Sequence, residues 1–434
     1  MKYFISILTI LAILSLSLAN AQERLSGKTV AAESAESIVR NMGRSTTPLL
    51  KSPDGGYQFL AKIEDNSQLD ILKKAGLNYK QCDLPGWVSF SADTAIVEAL
   101  RSHIYVEPRQ VLHTCEFPND SLLADQWWFT ANNGMWESDV RKAWEVTQGS
   151  ADIRVGIIGT GCPLKNGVWT HPDLDSSRFV FRSVFNNAYA DSDKAITDWS
   201  GHETHVEGII SAIANNGIGI AGMDQLCKLF IYKASDPYGN LNNDDIANSI
   251  YQAVHDRCNV INMSFGGSLY SRMLEDAMFY AYKAGVICVV AAGNNGGEYQ
   301  SFPAFFERFT TIPGLREGLN TIVTVGSIDK NSRLSYFSNR GWFVDLYAPG
   351  GGSNLKEGVI STLPTYNFIL GDSTRGYPYQ RKYGYLNGTS MAAPVVTGTV
   401  SLMSAANPKL KASQVRDILV GSATRIVSTA GTVL

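Results

Sequence analysis

Three short stretches of the chain carry residue types that could transfer an acyl group. Gly388-Thr389-Ser390-Met391-Ala392-Ala393-Pro394 sets a serine at the head of a run of small residues that extends to about residue 405 and reads as a helix. Backbone amides at a helix N-terminus face anions, so a serine there can attack a carbonyl while an amide receives part of the oxyanion. Pro394 is expected in the first turn, where its missing N–H leaves no bond unmade. Alone, Gly-Thr-Ser would be an ordinary helix cap. It is accompanied by Gly201-His202-Glu203-Thr204-His205-Val206-Glu207-Gly208, which puts a histidine at the start of a second helix. Ala291-Ala292-Gly293-Asn294-Asn295 adds an amide just past an apolar strand. A serine nucleophile, a histidine base and an amide donor for the oxyanion are the parts of an acyl-transfer site.

Such parts need a scaffold that brings distant segments together. Apolar strands are expected over 153–158, 229–233, 260–264, 286–291 and 322–325, with helical spacing over 244–254 and 271–284 between them. Near-continuous apolar strands separated by helices imply a parallel sheet covered on both faces, with its site beyond the carboxyl ends of the strands. Upstream the texture differs. Strands are expected over 57–63, 77–82, 87–91 and 103–111, and helices over 67–75 and 94–102, with a turn at Leu84-Pro85-Gly86. The order β-α-β-β-α-β is that of a small ferredoxin-like α+β unit.

At 434 residues the chain is long for one compact unit and suits two. Its 37 Lys and Arg against 40 Asp and Glu leave a net charge of −3, which excludes a broad basic surface for nucleic acid. Hydrophobic residues at 44% and charged residues at 18% give apolar surface enough for a sizeable core. Residues 1–21 read as a signal peptide: Lys2, an almost wholly apolar run over 5–18, then Ala19-Asn20-Ala21 before Gln22. That run is short for a membrane span, so the expectation is a periplasmic or extracellular protein with no membrane span after signal removal. Residues 22–52 are polar and turn-rich and read as a linker ahead of a folded unit over 53–113. The six cysteines (Cys82, Cys115, Cys162, Cys227, Cys258, Cys288) form no C-x-x-C pair, so metal-ligand spacing is absent. Cys288 lies in an apolar run and reads as a buried free thiol; for the other five, free and paired states both stay open.

On the three motifs the chain resembles the subtilisin-like serine peptidases (subtilases, peptidase family S8) over essentially all of residues 118–434. The resemblance implies a three-layer α/β/α fold with a parallel sheet, Ser390 as nucleophile, His202 as general base and Asn294 as side-chain oxyanion donor. It implies that Ser264-Phe265-Gly266 and, across the cleft, Tyr238-Gly239 pair with an extended polypeptide by strand addition. Ala291, Ala292 and Gly293 would form one wall of the pocket for the residue before the scissile bond. The upstream unit becomes an inhibitory, chaperoning propeptide, so the expected partners are a polypeptide substrate or binding partner and the chain's own propeptide. Asp120, Asp173 and Asn216, with the carbonyls of Ala214, Ile218 and Ile220, resemble a stabilising calcium site of many subtilases. The same loop also reads simply as a polar loop without a metal.

Two motifs depart from the family pattern. Where subtilases have Asp-Thr-Gly or Asp-Ser-Gly after the first strand, this chain has Gly159-Thr160-Gly161, so the carboxylate that orients the histidine is missing. Where they have His-Gly-Thr-His-Val-Ala-Gly, Glu203 and Glu207 replace the glycine and the alanine, four apart on one helical face. Either a glutamate occupies the void at Gly159 and restores the charge, or the three changes are drift after activity was lost; drift is the simpler expectation, since one base change suffices for each. Asp198, four residues before His202, is a weaker surrogate. A zinc-peptidase reading fails because the fourth residue after His202 is Val206, so no catalytic metal is expected. The expectation is therefore an exported serine endopeptidase impaired by Gly159, against the alternative of a pseudopeptidase that binds peptide strands without cutting. A purely structural module would explain the fold but not Ser390, His202 and Asn294 together.

Overall fold

The computed structural model describes residues 3–5, 57–109, 118–129, 140–184, 196–312, 318–371 and 381–425. The expected linker, Cys115 and all of the expected signal peptide except Tyr3–Ile5 lie outside the described residues. Contacts divide the chain into two units, Leu16–Glu116 and the remainder.

In the smaller unit an antiparallel sheet runs in the order Tyr79–Gln81, Trp87–Ala92, Tyr57–Lys62, Tyr105–Pro108, with helices Asn66–Lys74 and Thr94–Leu100 connecting its strands. Alternation along the strands turns Phe59, Ala61, Val88, Phe90 and Val106 to one face, where Leu72, Val97 and Leu100 complete the core. Asp65 caps the first helix by accepting from the amides of Ser67 and Gln68. This is the ferredoxin-like strand order.

The larger unit is a parallel sheet in the order Leu346–Pro349, Ile322–Ile328, Ile287–Ala291, Val260–Met263, Arg154–Gly159, Lys228–Lys233, Phe179–Ser183. Tyr3–Ile5 pairs parallel to Leu346–Pro349, and Ala423–Arg425 pairs antiparallel to it in turn. Phe179–Ser183 and Leu346–Pro349 join the five strands expected from periodicity. Helices His202–Ser211 and Thr389–Ala406 cover one face, over Val155, Ile157, Val289 and Val323. Helices Asn243–His255 and Arg272–Lys283 cover the other, over Ile158, Tyr232, Ile261 and Val290. The result is the three-layer α/β/α arrangement. From Arg154–Gly159 the chain builds the sheet first toward Phe179–Ser183 and Lys228–Lys233, then on the opposite side from Val260–Met263 onward. Gly159, Ser264 and Asn294 thus stand at or just past strand ends where the winding reverses.

One sequence expectation is corrected. Helix Thr389–Ala406 begins at Thr389, so Pro394 lies in its second turn, not its first. Proline cannot donate to the carbonyl four residues back, which is that of Ser390. Ser264 Oγ donates to that carbonyl instead, at 2.8 Å. Among the described residues no helix is long and apolar enough to cross a membrane.

Helix His202–Ser211 is tied to strand Val359–Thr362 at very short range. Thr362 Oγ1 donates to Thr204 O and Ser361 Oγ to His205 O, at 2.6 and 2.7 Å. A Cβ at Gly208 would lie 2.2 Å from Thr362 Oγ1 and 2.4 Å from Ser361 Oγ. Gly208→Ala is therefore expected to cost about 1–3 kcal/mol by overpacking, read as a lower midpoint in urea unfolding with an unchanged slope.

Candidate active site

The N-terminus of helix His202–Ser211 is organised by one carboxylate. Asp198 Oδ1 accepts from Thr160 Oγ1 at 2.8 Å, Ser200 N at 3.1 Å and Gly201 N at 2.8 Å, while Oδ2 accepts from Thr204 N at 2.9 Å and Thr204 Oγ1 at 2.8 Å. Those bonds replace the intrahelical partners that the first turn lacks. They also engage both oxygens of Asp198 with donors other than the imidazole, on which Asp198 acts through its charge. Gly201 takes φ +88°, and a Cβ there would sit 2.3 Å from the Phe368 ring. Only glycine lets the chain enter this helix with Phe368 packed over its start.

Glu203 follows His202 and folds back to it. His202 Nδ1 donates to Glu203 Oε2 at 3.0 Å, and Thr160 N approaches the same oxygen at 3.3 Å. Thr160 Oγ1 accepts from Glu203 N at 3.2 Å, so one threonine clamps both the backbone and the carboxylate of Glu203. The carboxylate stands in the space that a side chain at position 159 would fill: a Cβ on Gly159 would lie 2.0 Å from Glu203 Oε2 and 2.1 Å from its Cδ. Of the two sequence readings of Gly159 and Glu203, this arrangement matches the one in which a glutamate occupies the void. Glu203 is also in the first turn, where the helix dipole favours negative charge.

Burial pulls the His202 pKa down, but the hydrogen bond and charge of Glu203, joined by the charge of Asp198, outweigh it and leave the imidazole above its ordinary value. The side chain keeps 24% of its surface exposed, which limits the burial penalty. His205 is different in kind. Its Nε2 lies 3.0 Å from Val359 O and 3.1 Å from Gly384 O, and burial lowers its pKa to about 3. It is a neutral core histidine.

Across the site, Ser390 Oγ donates to Ser264 O at 2.8 Å while Ser264 Oγ donates to Ser390 O. Attack on a carbonyl requires the hydroxyl to rotate from Ser264 toward the imidazole, the kind of tightening expected once a substrate is present. Asn294 Oδ1 accepts from Thr389 N at 2.9 Å and Thr389 Oγ1 at 3.0 Å. Because an amide N–H fixes which end of Asn294 is the oxygen, Nδ2 is the end left to face an oxyanion. Asn339 braces the neighbouring wall: its Nδ2 donates to Ala292 O at 2.9 Å, and its backbone N donates to Gly293 O at 2.8 Å. Gly239 lies against Ser200, two residues before the base, with Tyr238 71% exposed beside it. Tyr238-Gly239 therefore flanks the histidine side and Ser264-Phe265-Gly266 the serine side. Sequence reasoning passed over Thr160 and Thr389; each directly adjoins a motif residue, which was the available signal.

The residues of the expected calcium site converge as well. Asp120 accepts from Asn215 N and Asn216 N at 3.0 and 3.3 Å; Asp173 accepts from Asn216 Nδ2 and Ile220 N at 2.6 and 3.0 Å. Burial raises the pKa of Asp173 to about 7, against the opposing pull of those bonds, and Asp120 is shifted up mainly by burial too. Two desolvated carboxyls within reach of each other's charge are the part of a hard-cation donor set present here, and these contacts of theirs are N–H donors. The described cysteines, Cys82, Cys162, Cys227, Cys258 and Cys288, are all free, and Cys288 is buried as expected.

Comparison with known proteins gives one family. The profile of the Subtilase family, Peptidase_S8, matches residues 150–432. A thermophilic serine proteinase of Bacillus sp. (strain AK1) is 32% identical over 313 residues, which is 71% of this chain and 66% of that protein, so the chain spans just under two thirds of its length. Thermitase of Thermoactinomyces vulgaris is 31% identical over 288 residues, covering 66% of this chain and 86% of thermitase. Among solved structures, proteases from Pseudoalteromonas arctica PAMC 21717 align with a TM-score of 0.57 at 27% identity, over 73% of this chain and 95% of that one.

The geometry fixes a sign for the base. An imidazole whose pKa lies above 6.5 loses base-competent form as pH falls through that raised value. Glu203→Gln removes the charge while keeping an acceptor, so the His202 titration, followed by NMR of labelled histidine, should move to lower pH. An unmoved titration would show that Glu203 does not act on the imidazole.

Proposed function

Because the chain belongs to the subtilase family, we propose that it is an exported serine endopeptidase whose relay runs Ser390–His202–Glu203. The observation that carries this reading is the Glu203 carboxylate, 3.0 Å from His202 Nδ1 and seated in the volume that Gly159 leaves open. His202 Nε2 takes the proton of Ser390 Oγ as that oxygen attacks the peptide carbonyl. Glu203 fixes the tautomer with Nδ1 protonated and stabilises the imidazolium. Asn294 Nδ2 and the amide of Ser390 receive the developing oxyanion. The imidazolium returns its proton to the leaving amine, and water then releases the acyl group by the same relay. Substrate lies extended between Ser264-Phe265-Gly266 and Tyr238-Gly239, with Ala291-Ala292-Gly293 beside the residue preceding the cut.

Around this centre, residues 1–21 direct export to the periplasm or medium and take the strand Tyr3–Ile5 with them on removal, and the ferredoxin-like unit is an inhibitory, chaperoning propeptide. Asp120, Asp173, Asn216 and the carbonyls of Ala214, Ile218 and Ile220 would hold a calcium ion, whose contribution is to neutralise two buried carboxylates and stiffen their loop.

A fluorophosphonate, which reacts only with an activated serine, should label the wild type and not Ser390→Ala. Absence of labelling and of peptide hydrolysis would replace this reading with a strand-binding pseudopeptidase. Glu203→Gln should lower kcat by about 10⁴-fold, the scale of loss when the orienting acid of a serine peptidase is neutralised. Gly159→Asp alone should also lose activity, because its Cβ collides with Glu203. The Gly159→Asp, Glu203→Gly double variant should recover most of it, and a double variant no better than either single would exclude the exchange.

Calcium gives a separate test. Asp173 must ionise to bind the ion, so affinity should rise with pH up to about 7. Chelation should therefore lower Tm more at pH 8 than at pH 5. Equal shifts at both pH values, or none, would exclude a calcium site of this composition.

A further inference from the structure

Glu207 sits one helical turn beyond Glu203 on the same face and is 0% exposed, against 2% for Glu203. Both of its oxygens are buried without a hydrogen-bond partner, and so is Glu203 Oε1, the oxygen turned away from the imidazole. Two adjacent carboxyls thus share a dry region with three unmatched oxygens. Two negative charges one turn apart in such a region are excluded by desolvation and mutual repulsion. A single proton on the pair removes one charge and supplies the missing donor.

The surroundings decide which residue carries that proton. Glu203 Oε2 faces two N–H donors, the His202 ring and the Thr160 amide, and so serves as an acceptor. Glu207 faces the charges of Asp198 and Glu203, with the Cys162 thiol and the Tyr366 hydroxyl nearby. Three donors of the region are committed elsewhere. Tyr366 donates to Asp198 O at 3.0 Å, Cys162 Sγ to Ile196 O at 3.8 Å, and Lys233 Nζ to Thr160 O and Thr197 O at 2.7 and 2.9 Å. Burial first, then the charges of Asp198 and Glu203, push the Glu207 pKa well above the usual carboxylate range.

Resting on the reading of Glu203 as the partner of His202, we infer that Glu207 is a further positioning residue of the relay: it stays protonated and donates its O–H to Glu203 Oε1. The bond uses the vacant oxygen, holds Oε2 on Nδ1 and draws off part of the negative charge that the carboxylate presents to the imidazole. The neutral acid thereby limits how far Glu203 raises the His202 pKa.

The sign of this effect separates the inference from its rivals. In a Ser390→Ala background, which needs no turnover, the His202 titration is read by NMR of labelled histidine in otherwise wild-type, Glu207→Gln and Glu207→Ala proteins. Glutamine keeps an N–H donor and should leave the titration in place. Alanine removes the donor, leaves the full carboxylate charge facing the imidazole and should move the titration up by about half a pH unit or more. A downward move in both variants would mean that Glu207 is charged, and no move in either would mean that it does not act on Glu203; both overturn the inference. Should neither variant fold, difference infrared spectra of the parent protein with labelled glutamate decide: a neutral carboxylic C=O band at pH 7 is required, and its absence overturns the proposal. In Ser390-intact protein the rising limb of kcat/KM against pH should follow the same pattern. An inactive enzyme whose NMR titrations behave as expected would count against the peptidase reading and leave the role of Glu207 standing.

Discussion

The site turns on an exclusion of volume. A Cβ at position 159 and the Glu203 carboxylate cannot coexist, since they would stand 2.0 Å apart. Once strand Arg154–Gly159 ends in glycine, the space at the head of the helix admits a carboxylate from the helix itself, and the hydrogen bond to His202 Nδ1 follows from adjacency in sequence. The carboxylate that meets His202 Nδ1 is thus borne by the helix layer and not by the sheet layer. A single glutamate substitution without the glycine would have met a side chain, and the glycine without the glutamate would have left a hole and an unoriented base.

Around that contact, two further residues hold the helix start. Asp198 gathers the first-turn amides of the His202 helix, and Thr160 bridges it to Glu203, donating to one carboxylate while its backbone N–H reaches the other. On the opposite side of the cleft the nucleophile helix begins with Thr389 holding Asn294 by its oxygen. Each side therefore uses a threonine next to a motif residue to set the orientation of a polar side chain. Hydroxyls suit this because one Oγ can donate and accept at once.

Much of this was legible in the sequence. The α/β/α order, the split βαβ unit and the placing of Ser390, His202 and Asn294 at or near element ends follow from hydrophobic period and from residue spacing. Phe179–Ser183 was not legible, because it lies at the sheet edge with Arg182 and Ser183 exposed and lacks the continuous apolar run of its neighbours. Leu346–Pro349 is short and ends in proline. The position of Pro394 was misjudged because the helix start was placed too late, and the consequence, a freed Ser390 carbonyl bonded by Ser264, is a tertiary fact. The placement of Glu203 is tertiary too. Spacing alone allowed it to face Gly159 or to be a remnant, and only packing shows which space its carboxylate fills.

In a relay whose acid comes from a strand and whose base comes from a helix, the acid–base pair exists only while those two layers are docked. Here both partners are consecutive residues of one helix turn. Breathing between layers that would part a strand-borne acid from its histidine leaves these two residues adjacent in the chain, with the Thr160 clamp on Glu203 as the contact that docking supplies. What docking still controls is alignment with Ser390, which belongs to a different helix. The hydrogen-bond partner of the imidazole is thus set locally, by the residue that follows it, whereas burial and the charge of Asp198 act on it through the completed fold.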